Sequence, residues 1–143
     1  MKIYIGCDHA AYDEKEELKA YLSENFEVED KGPFSGDRCN YPDFAAAVAK
    51  EVQKGEIGIL LCGSGIGVSI VANRFSKVRA ALCRTVEEAK LSRQHNDANV
   101  LCMGARISSM EDLKAMADAW LKEEFEGGRH SERIALFNEL GEK

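Results

Sequence analysis

Residues 57–75 read IGILLCGSGIGVSIVANRF, and this stretch decides the fold. It opens with an apolar run over residues 57–61 that is too short for a helix, which predicts a strand buried on both faces of a parallel sheet. Cys62 ends the run, and glycines follow at positions 63, 65 and 67 before apolar residues continue into a predicted helix. Because a strand, a glycine turn and a helix bring backbone N–H groups together, the stretch predicts an anion-binding loop beside a thiol.

Three known kinds of phosphate-binding loop share this outline, and the residues exclude each of them. A dinucleotide fingerprint from Gly63 needs glycine where Val68 stands, and an acidic residue where Arg84 stands. A Walker loop needs Gly-Lys-Ser or Gly-Lys-Thr at its end, and a cysteine phosphatase needs arginine at position 68. The local sequence leaves two interpretations open for Cys62, a functional thiol beside an oxyanion-binding loop or an inert core cysteine.

The composition predicts a single domain over residues 1–143, working in a reducing cytoplasm. Hydrophobic residues make up 45% and charged residues 31%, which is typical of a soluble globular protein. The net charge of −6 argues against a nucleic-acid partner. No apolar run approaches the roughly 20 residues of a membrane span, and the chain opens on a strand rather than a signal peptide. The five cysteines form no CxxC pair, which favours free thiols over a disulfide framework.

Apolar periodicity along the chain predicts strands that alternate with helices five times. The predicted strands cover residues 2–7, 26–30, 57–62, 78–83 and 99–103, and residues 31–42 are predicted to be a loop. Helices are predicted over residues 12–25, around residues 44–52 and directly after the glycine loop. Two more are predicted after the capping pairs Thr85–Glu88 and Ser108–Glu111, the second ending at Gly127-Gly128, and a last one over residues 130–140.

This alternation predicts an α/β fold, a Rossmann-like three-layer α/β/α sandwich with a five-stranded parallel sheet. Ligands of such folds bind beyond the carboxyl ends of the strands, near a topological switch point. The polar residues expected at those ends are Asp8, His9, Cys62, Ser64 and the loops near His95 and Arg106.

Five longer motifs stand in order along nearly the whole chain. They read GCDHAAY (6–12), NYPDFA (40–45), LLCGSGIGVSIVANRF (60–75), LSRQHNDANVL (91–101) and EGGRHSER (126–133). The set resembles the type B ribose-5-phosphate isomerases and their sugar-phosphate isomerase relatives. The resemblance implies interconversion of ribose 5-phosphate and ribulose 5-phosphate, the non-oxidative branch of the pentose phosphate pathway, without cofactor or metal. It also implies a homodimer or homotetramer with sites at the subunit interface.

Two other interpretations remain open beside this one. The same chemistry could act on allose 6-phosphate or galactose 6-phosphate, although the set of Cys62, His95 and the arginines favours ribose 5-phosphate. A non-catalytic phosphate or nucleotide-binding module would keep the loop and the arginines but would have no use for Cys62 or His95. A zinc site built from Cys7, His9 and His95 is supported by residue type but by no spacing.

Moving a proton between C2 and C1 of a sugar through an enediolate requires a base, an oxyanion cradle and a grip on the phosphate. The resemblance makes Cys62 the base and His95 the group that opens the furanose ring, with Asp43 available as an orienting carboxylate. It makes Ser64 a catalytic residue, where the family usually has threonine. Oxyanion binding falls to the loop residues Gly63, Gly65, Ile66 and Gly67.

The remaining motif residues match positions that hold the substrate. Asp8, Tyr41 and Asn96 match sugar-contacting positions, although Asp8 could instead cap the first helix and Tyr41 could anchor a loop. Phosphate binding falls to His9, Arg106, Arg129 and Arg133; for the last two, the alternative is a solvated basic helix face. In the family this last segment reaches into the neighbouring subunit's site, so a monomer would lack its phosphate clamp.

Overall fold

The computed structural model describes residues 2–141 and is built on one five-stranded sheet. Its strands are β1 Ile3–Cys7, β2 Val28–Asp30, β3 Ile57–Cys62, β4 Ala80–Leu82 and β5 Val100–Gly104. The strand order is β2-β1-β3-β5-β4, and all four neighbouring pairs are parallel. The predicted α/β class and the five-stranded parallel sheet are therefore confirmed.

Helices cover both faces of the sheet, because successive side chains of the central strands point to opposite sides. The helices are α1 Tyr12–Ser23, α2 Tyr41–Val52, α3 Ile66–Ala72, α4 Val86–Asn96, α5 Met110–Lys122 and α6 Arg129–Phe137, and a 3₁₀ turn over His9–Ala11 precedes α1. Ile59 belongs to the apolar cluster that contains Leu18 and Trp120, while its neighbour Leu60 belongs to the cluster of Val48 and Val68. One apolar cluster therefore lies on each face of the sheet, between the sheet and a layer of helices, and this is the predicted three-layer sandwich.

The direction of strand addition reverses between β1 and β3. The chain places β2 on one side of β1, and it then adds β3 and the remaining strands on the other side. Asp8 follows β1 and Cys62 ends β3, and the backbone N–H of Asp8 donates to the carbonyl of Leu61 at 3.1 Å. These two side chains therefore flank the switch point, where open parallel sheets bind their ligands.

Three local predictions were wrong by one or a few residues. Ser109, not Ser108, caps α5, because its hydroxyl accepts from the N–H of Asp112 while the N–H of Ser108 closes a turn on Gly104. Helix α5 ends at Lys122, well before the glycine pair that was expected to break it. Pro42 lies in the first turn of α2 rather than in a loop, a position that needs no N–H donor. The Thr85 cap of α4 is confirmed.

Within residues 2–141, no helix is both long enough and apolar enough to cross a membrane.

Candidate active site

The thiol of Cys62 lies at the end of β3, where the glycine loop begins. The residue is only 6% exposed, and its sulfur accepts a hydrogen bond from the backbone N–H of Gly65 at 3.1 Å. The Ser64 hydroxyl accepts from the N–H of Ile66 at 3.2 Å, so the side chains of the loop themselves organise its backbone. The loop thus presents to the sulfur a hydrogen-bond donor suited to a negatively charged atom.

Two of the loop glycines are required by close contacts. Gly65 has φ +80°, in the left-handed region, and a Cβ there would lie 2.8 Å from the backbone carbon of Met103. A Cβ at Gly67 would lie 2.6 Å from the ring of Tyr41, so the tyrosine ring rests directly on the start of α3. The glycines therefore let the strand β5 and Tyr41 approach the loop backbone.

Polar side chains from two other segments, residues 8–9 and Arg106, lie at the carboxyl edge of the sheet with the loop. Asp8 accepts from the N–H of Ala11 at 3.0 Å, so it caps the 3₁₀ turn His9–Ala11 rather than α1 itself, which begins after Ala11 without a side-chain cap. Nδ1 of His9 accepts from the N–H of Cys39 at 3.3 Å, which puts the proton of the neutral ring on Nε2. The N–H of Arg106 donates to the carbonyl of Gly63, and its exposed side chain runs beside that glycine.

Three other thiols, those of Cys7, Cys83 and Cys102, are buried in the core. Burial raises the pKa of Cys7 to about 12 and the pKa of Cys83 to about 11. Burial likewise raises the pKa of Cys102 well above its usual value. These three thiols stay protonated at neutral pH, so each behaves as a small apolar core residue.

His95 lies at the opposite edge of the sheet from Cys62, and the expectation that it would share the carboxyl edge was wrong. Helix α4 returns from the end of β4 to the start of β5, so its last turn, which contains His95 and Asn96, sits at the amino edge. The length of β3 separates the two edges, about 16 Å for five steps of roughly 3.3 Å. One chain therefore cannot bring His95 to the Cys62 sulfur.

Asp43 also lies away from His95, because it sits in the first turn of α2, the helix whose Tyr41 rests on Gly67. The carboxylate beside His95 is instead that of Glu126, whose Oε1 lies 3.6 Å from Nε2 of His95. The same oxygen lies 3.8 Å from Nε2 of His130, and the two imidazole rings stack with their centroids 4.5 Å apart. The sequence interpretation missed both Glu126 and His130, although both fall inside the quoted EGGRHSER motif.

The two arginines of α6 accompany this histidine stack. Arg129 and Arg133 are exposed and flank His130, and both act to lower the pKa of that histidine. Within residues 2–141 neither arginine takes part in an ion pair. Asn96 is exposed in the neighbouring turn, where it lines a cavity of about 270 Å³ together with Phe137. The arginines and Asn96 therefore belong to the group at the amino edge.

The predicted site residues thus form two groups at opposite edges. The carboxyl-edge group holds Asp8, His9, Tyr41, Asp43, Cys62, the loop 63–67 and Arg106, and the amino-edge group holds His95, Asn96, Arg129 and Arg133. The larger of the two cavities described, about 1220 Å³, lies by Arg74, Lys77 and Phe137 rather than beside Cys62. Neither of these two cavities is lined by residues of the Cys62 loop.

Known proteins resemble this chain over nearly its whole length. The sequence profile of the family described as Ribose/Galactose Isomerase matches residues 3–137. Ribose-5-phosphate isomerase B of Escherichia coli K12 is 46% identical over 99% of this chain and 97% of its own length.

Solved structures show the same likeness in three dimensions. The ribose-5-phosphate isomerase B of Clostridium thermocellum superposes with a TM-score of 0.95 at 43% identity, covering 97% of this chain and 96% of that one. The enzyme of Mycoplasma genitalium, solved with bound ribulose 5-phosphate, gives a TM-score of 0.94 at 40% identity over 96% of this chain and 94% of its own. By sequence and by structure, this chain belongs to the ribose/galactose isomerase family, among the type B ribose-5-phosphate isomerases.

Proposed function

We propose that this protein is an aldose–ketose isomerase that interconverts ribose 5-phosphate and ribulose 5-phosphate. The observation that carries the proposal is the Cys62 sulfur, which accepts the Gly65 N–H at the mouth of a glycine loop beside the switch point. The ribulose 5-phosphate bound to the Mycoplasma genitalium enzyme supports the proposal that this protein acts on the same substrate. We propose that residues 1–143 act as one domain and that no cofactor or metal is needed.

In this proposal Cys62 is the base that moves the proton between the two carbons. The thiolate removes the proton from C2 of the open aldose, and the electron pair forms the enediolate as the C1 carbonyl becomes an oxyanion. The thiol then returns a proton to C1, and the proton of the C2 hydroxyl passes to the O1 oxyanion, which leaves a ketone at C2 and a hydroxyl at C1. Since all atoms and electrons come from the sugar and the thiol, the reaction is balanced without a redox partner.

Backbone N–H groups of the loop are the proposed oxyanion donors. The N–H groups of Gly65 and Ile66 already donate to Cys62 and Ser64. The first turn of a helix leaves its N–H groups without intrahelical partners, so those of Gly67 and Val68 are the best placed. A donor of this kind is typically worth roughly 3 kcal/mol in the transition state. Gly63 and Ser64 complete the cradle, and Asp8 and Tyr41 beside it are the proposed sugar contacts.

A second copy of the chain is proposed to complete each site. His95, Asn96, Arg129 and Arg133 lie at the amino edge, so they reach a Cys62 loop only when they belong to another subunit. The exposed arginines match phosphate geometry with paired N–H donors. Together with His9 and Arg106 they form the proposed phosphate clamp. We therefore propose a homodimer or a homotetramer of such dimers. Asp43, exposed in the first turn of α2, is a candidate to meet the incoming subunit.

A reducing cytoplasm is the proposed compartment. All five cysteines are free, and the chemistry requires the Cys62 thiol in its reduced form.

Purified protein assayed on ribose 5-phosphate, allose 6-phosphate and galactose 6-phosphate tests the proposal. We expect isomerisation of ribose 5-phosphate, its loss in Cys62→Ala with substrate binding mostly kept, and little change in Cys39→Ala. The Cys39 control removes a half-buried thiol but keeps the backbone N–H that donates to His9. Turnover only on the six-carbon sugars would show that ribose 5-phosphate is not the substrate. Wild-type turnover by Cys62→Ala would show that Cys62 is not the base.

A further inference from the structure

His95, Glu126 and His130 form a compact cluster that the proposed reaction uses only through His95. Their candidate ligand atoms all lie within 4.8 Å of one another. The His130 side chain is almost fully buried, and its Nε2 lacks a hydrogen-bond partner among the described residues. Among the described residues, His130 therefore contacts His95 through its stacked ring and not through a hydrogen bond of its Nε2.

A metal ion is the first interpretation that such residues suggest, and the geometry argues against it. Zn²⁺ binds imidazole nitrogen at about 2.0–2.1 Å along the in-plane lone pair. The rings of His95 and His130 are stacked at 4.5 Å with only 17° between their planes, so no single ion can lie in both planes. The positive charges of Arg129 and Arg133 nearby also oppose a cation. We therefore look for the role of the stack in the orientation of the two imidazole rings rather than in metal binding.

The chain fixes Glu126 and His130 against α4 by specific contacts. The backbone N–H of Glu126 donates to the carbonyl of Gln94 at 3.0 Å, one residue before His95. The Gln94 side chain donates to Glu123 at 2.8 Å, which ties the same segment to α4 a second time. Gly127 and Gly128 both have positive φ and turn the chain so that His130 comes back onto His95. The glycine pair is therefore what brings His130 onto the ring of His95.

We propose that Glu126 and His130 are positioning residues for His95. Glu126 holds the proton of the neutral His95 ring on Nε2, and His130 supplies the aromatic surface that fixes the plane of that ring. The separation of 3.6 Å between Oε1 and Nε2 closes to a hydrogen bond by a small rotation of Glu126, whose side chain is half exposed. This inference rests on the proposed function, because it assigns His95 to ring opening.

The arrangement leaves Nδ1 of His95 free for the sugar. The proton of the O1 hydroxyl passes to Nδ1, the C1–O4 bond breaks as the C1 carbonyl forms, and Nδ1 returns the proton to O4. Positive charge on the ring during this transfer is met by the Glu126 carboxylate. Burial lowers the pKa of His130, and the nearby His95, Arg129 and Arg133 lower it further against the opposing effect of Glu126. His130 thus stays neutral while His95 carries the proton.

Nitrogen-15 NMR of the imidazole rings tests the tautomer without any assay. The chain has three histidines, so single His→Gln variants assign every signal. We expect the His95 ring of the wild-type protein to be the Nε2–H form, and Glu126→Gln to convert it to a mixture. Glu124→Gln removes the same charge from an exposed residue two positions away and should leave the spectrum unchanged. An unchanged His95 tautomer in Glu126→Gln would overturn the proposal.

Kinetics with two substrates separate positioning from simple folding. Glu126→Gln should lower kcat/KM for cyclic ribose 5-phosphate about 10–100-fold, part of the 10²–10⁴ that acid–base catalysis supplies. Turnover of erythrose 4-phosphate, which cannot close the ring, should be spared. His130→Phe keeps the stack and should stay close to wild type, whereas His130→Ala should show the ring-specific loss.

Two kinetic results would contradict the inference. Equal losses of Glu126→Gln on both sugars would point to a general structural role, and a His130→Phe protein as damaged as His130→Ala would show that the ring nitrogens matter rather than the stack. A protein without sugar-phosphate isomerase activity would instead refute the proposed function, and the NMR result would still decide the positioning of His95.

Discussion

The Lys15 ammonium is fully buried and lies 2.8 Å from both carboxylate oxygens of Asp30. The same nitrogen donates to the carbonyl of Pro33 at 2.6 Å, and Lys19 reaches Asp30 from the partly exposed side. The pair joins α1 to the end of β2 next to the loop that carries Cys39. Breaking a buried pair leaves an uncompensated charge, which is far more costly than breaking a surface pair.

We predict that Asp30→Asn lowers the free energy of unfolding by about 3–5 kcal/mol at neutral pH, because it removes the buried counter-ion of Lys15 and leaves only the partly exposed Glu16 carboxylate, 3.3 Å away. Glu27→Gln is the control, since it removes an exposed carboxylate paired with Lys2 and should cost less than about 1 kcal/mol. Urea unfolding of both variants and the wild type measures the difference. Similar losses in the two variants would show that the Lys15–Asp30 pair does not contribute as its burial implies.

The same pair predicts a loss of stability in acid. Burial alone would raise the pKa of Asp30, but hydrogen bonds from Lys15, Lys19 and the Gly32 N–H outweigh it, so the pKa is lowered. A lowered pKa stabilises the fold fully above the unfolded-state value of about 3.9, and this contribution disappears as pH falls through the folded value. Unfolding free energy should therefore fall below about pH 4. In a Lys15→Met/Asp30→Leu double variant the unfolding free energy should fall less steeply with decreasing pH than in the wild type. The same slope in both proteins would contradict this prediction.

Gly65 and Gly63 give a matched pair of loop substitutions. Gly65→Ala forces an L side chain into a left-handed backbone and against the Met103 backbone, so it should abolish activity and destabilise the fold by at least about 1 kcal/mol. A Cβ in Gly63→Ala meets only the Arg106 side chain, whose nearest atom is Cδ at 3.4 Å, so this variant should retain the fold. Thermal unfolding and turnover of both variants check the contrast. A Gly65→Ala protein as stable as Gly63→Ala would show that the loop backbone adapts.

His95→Asn should reduce turnover of ribose 5-phosphate by about 100-fold or more, because only the ring form needs a proton shuttled before isomerisation. Turnover of erythrose 4-phosphate should fall much less. The ratio of the two kcat/KM values, compared with the same ratio for the wild type, measures ring opening by itself. Parallel losses on the two substrates would take the ring-opening role away from His95.

Subunit exchange tests the shared site. Arg133→Ala alone should raise KM roughly 10–100-fold, from a charged contact worth about 1.5–3 kcal/mol. When Arg133→Ala and Cys62→Ala proteins exchange subunits, a mixed dimer contains one site with both defects and one with neither. Activity at low substrate should then reappear. Its absence, with mixed dimers demonstrated by native mass spectrometry, would mean that Arg133 does not act across the interface.

The sequence was sufficient for the central strands β1, β3 and β5, because each is an apolar run bounded by turn residues. It also predicted the loop at Cys62, since glycines at alternate positions leave few other conformations. The edge assignment of His95 failed because a crossover helix carries the chain back to the amino edge, so residues before β5 cannot lie beside those after β3. The Ser108 cap failed because two adjacent serines offer the same local signal.

The proposed role of Glu126 and His130 could not be predicted from the local sequence pattern. Both residues were visible in the EGGRHSER motif, but their contact with His95 depends on how α6 docks on α4. That docking is a tertiary arrangement fixed by the Gln94 carbonyl and the positive φ of two glycines, and no periodicity reports it.

The placement of the two residue groups at opposite ends of the same strands has a consequence for enzyme concentration. In the proposed assembly a two-fold axis places the His95 end of each chain against the Cys62 loop of its partner. The dimer then contains two complete sites, each built from both chains. A folded but dissociated chain would be inert. Specific activity should therefore decline on dilution below the dissociation constant of the dimer and recover on concentration, so that mass action alone would switch the catalyst on and off.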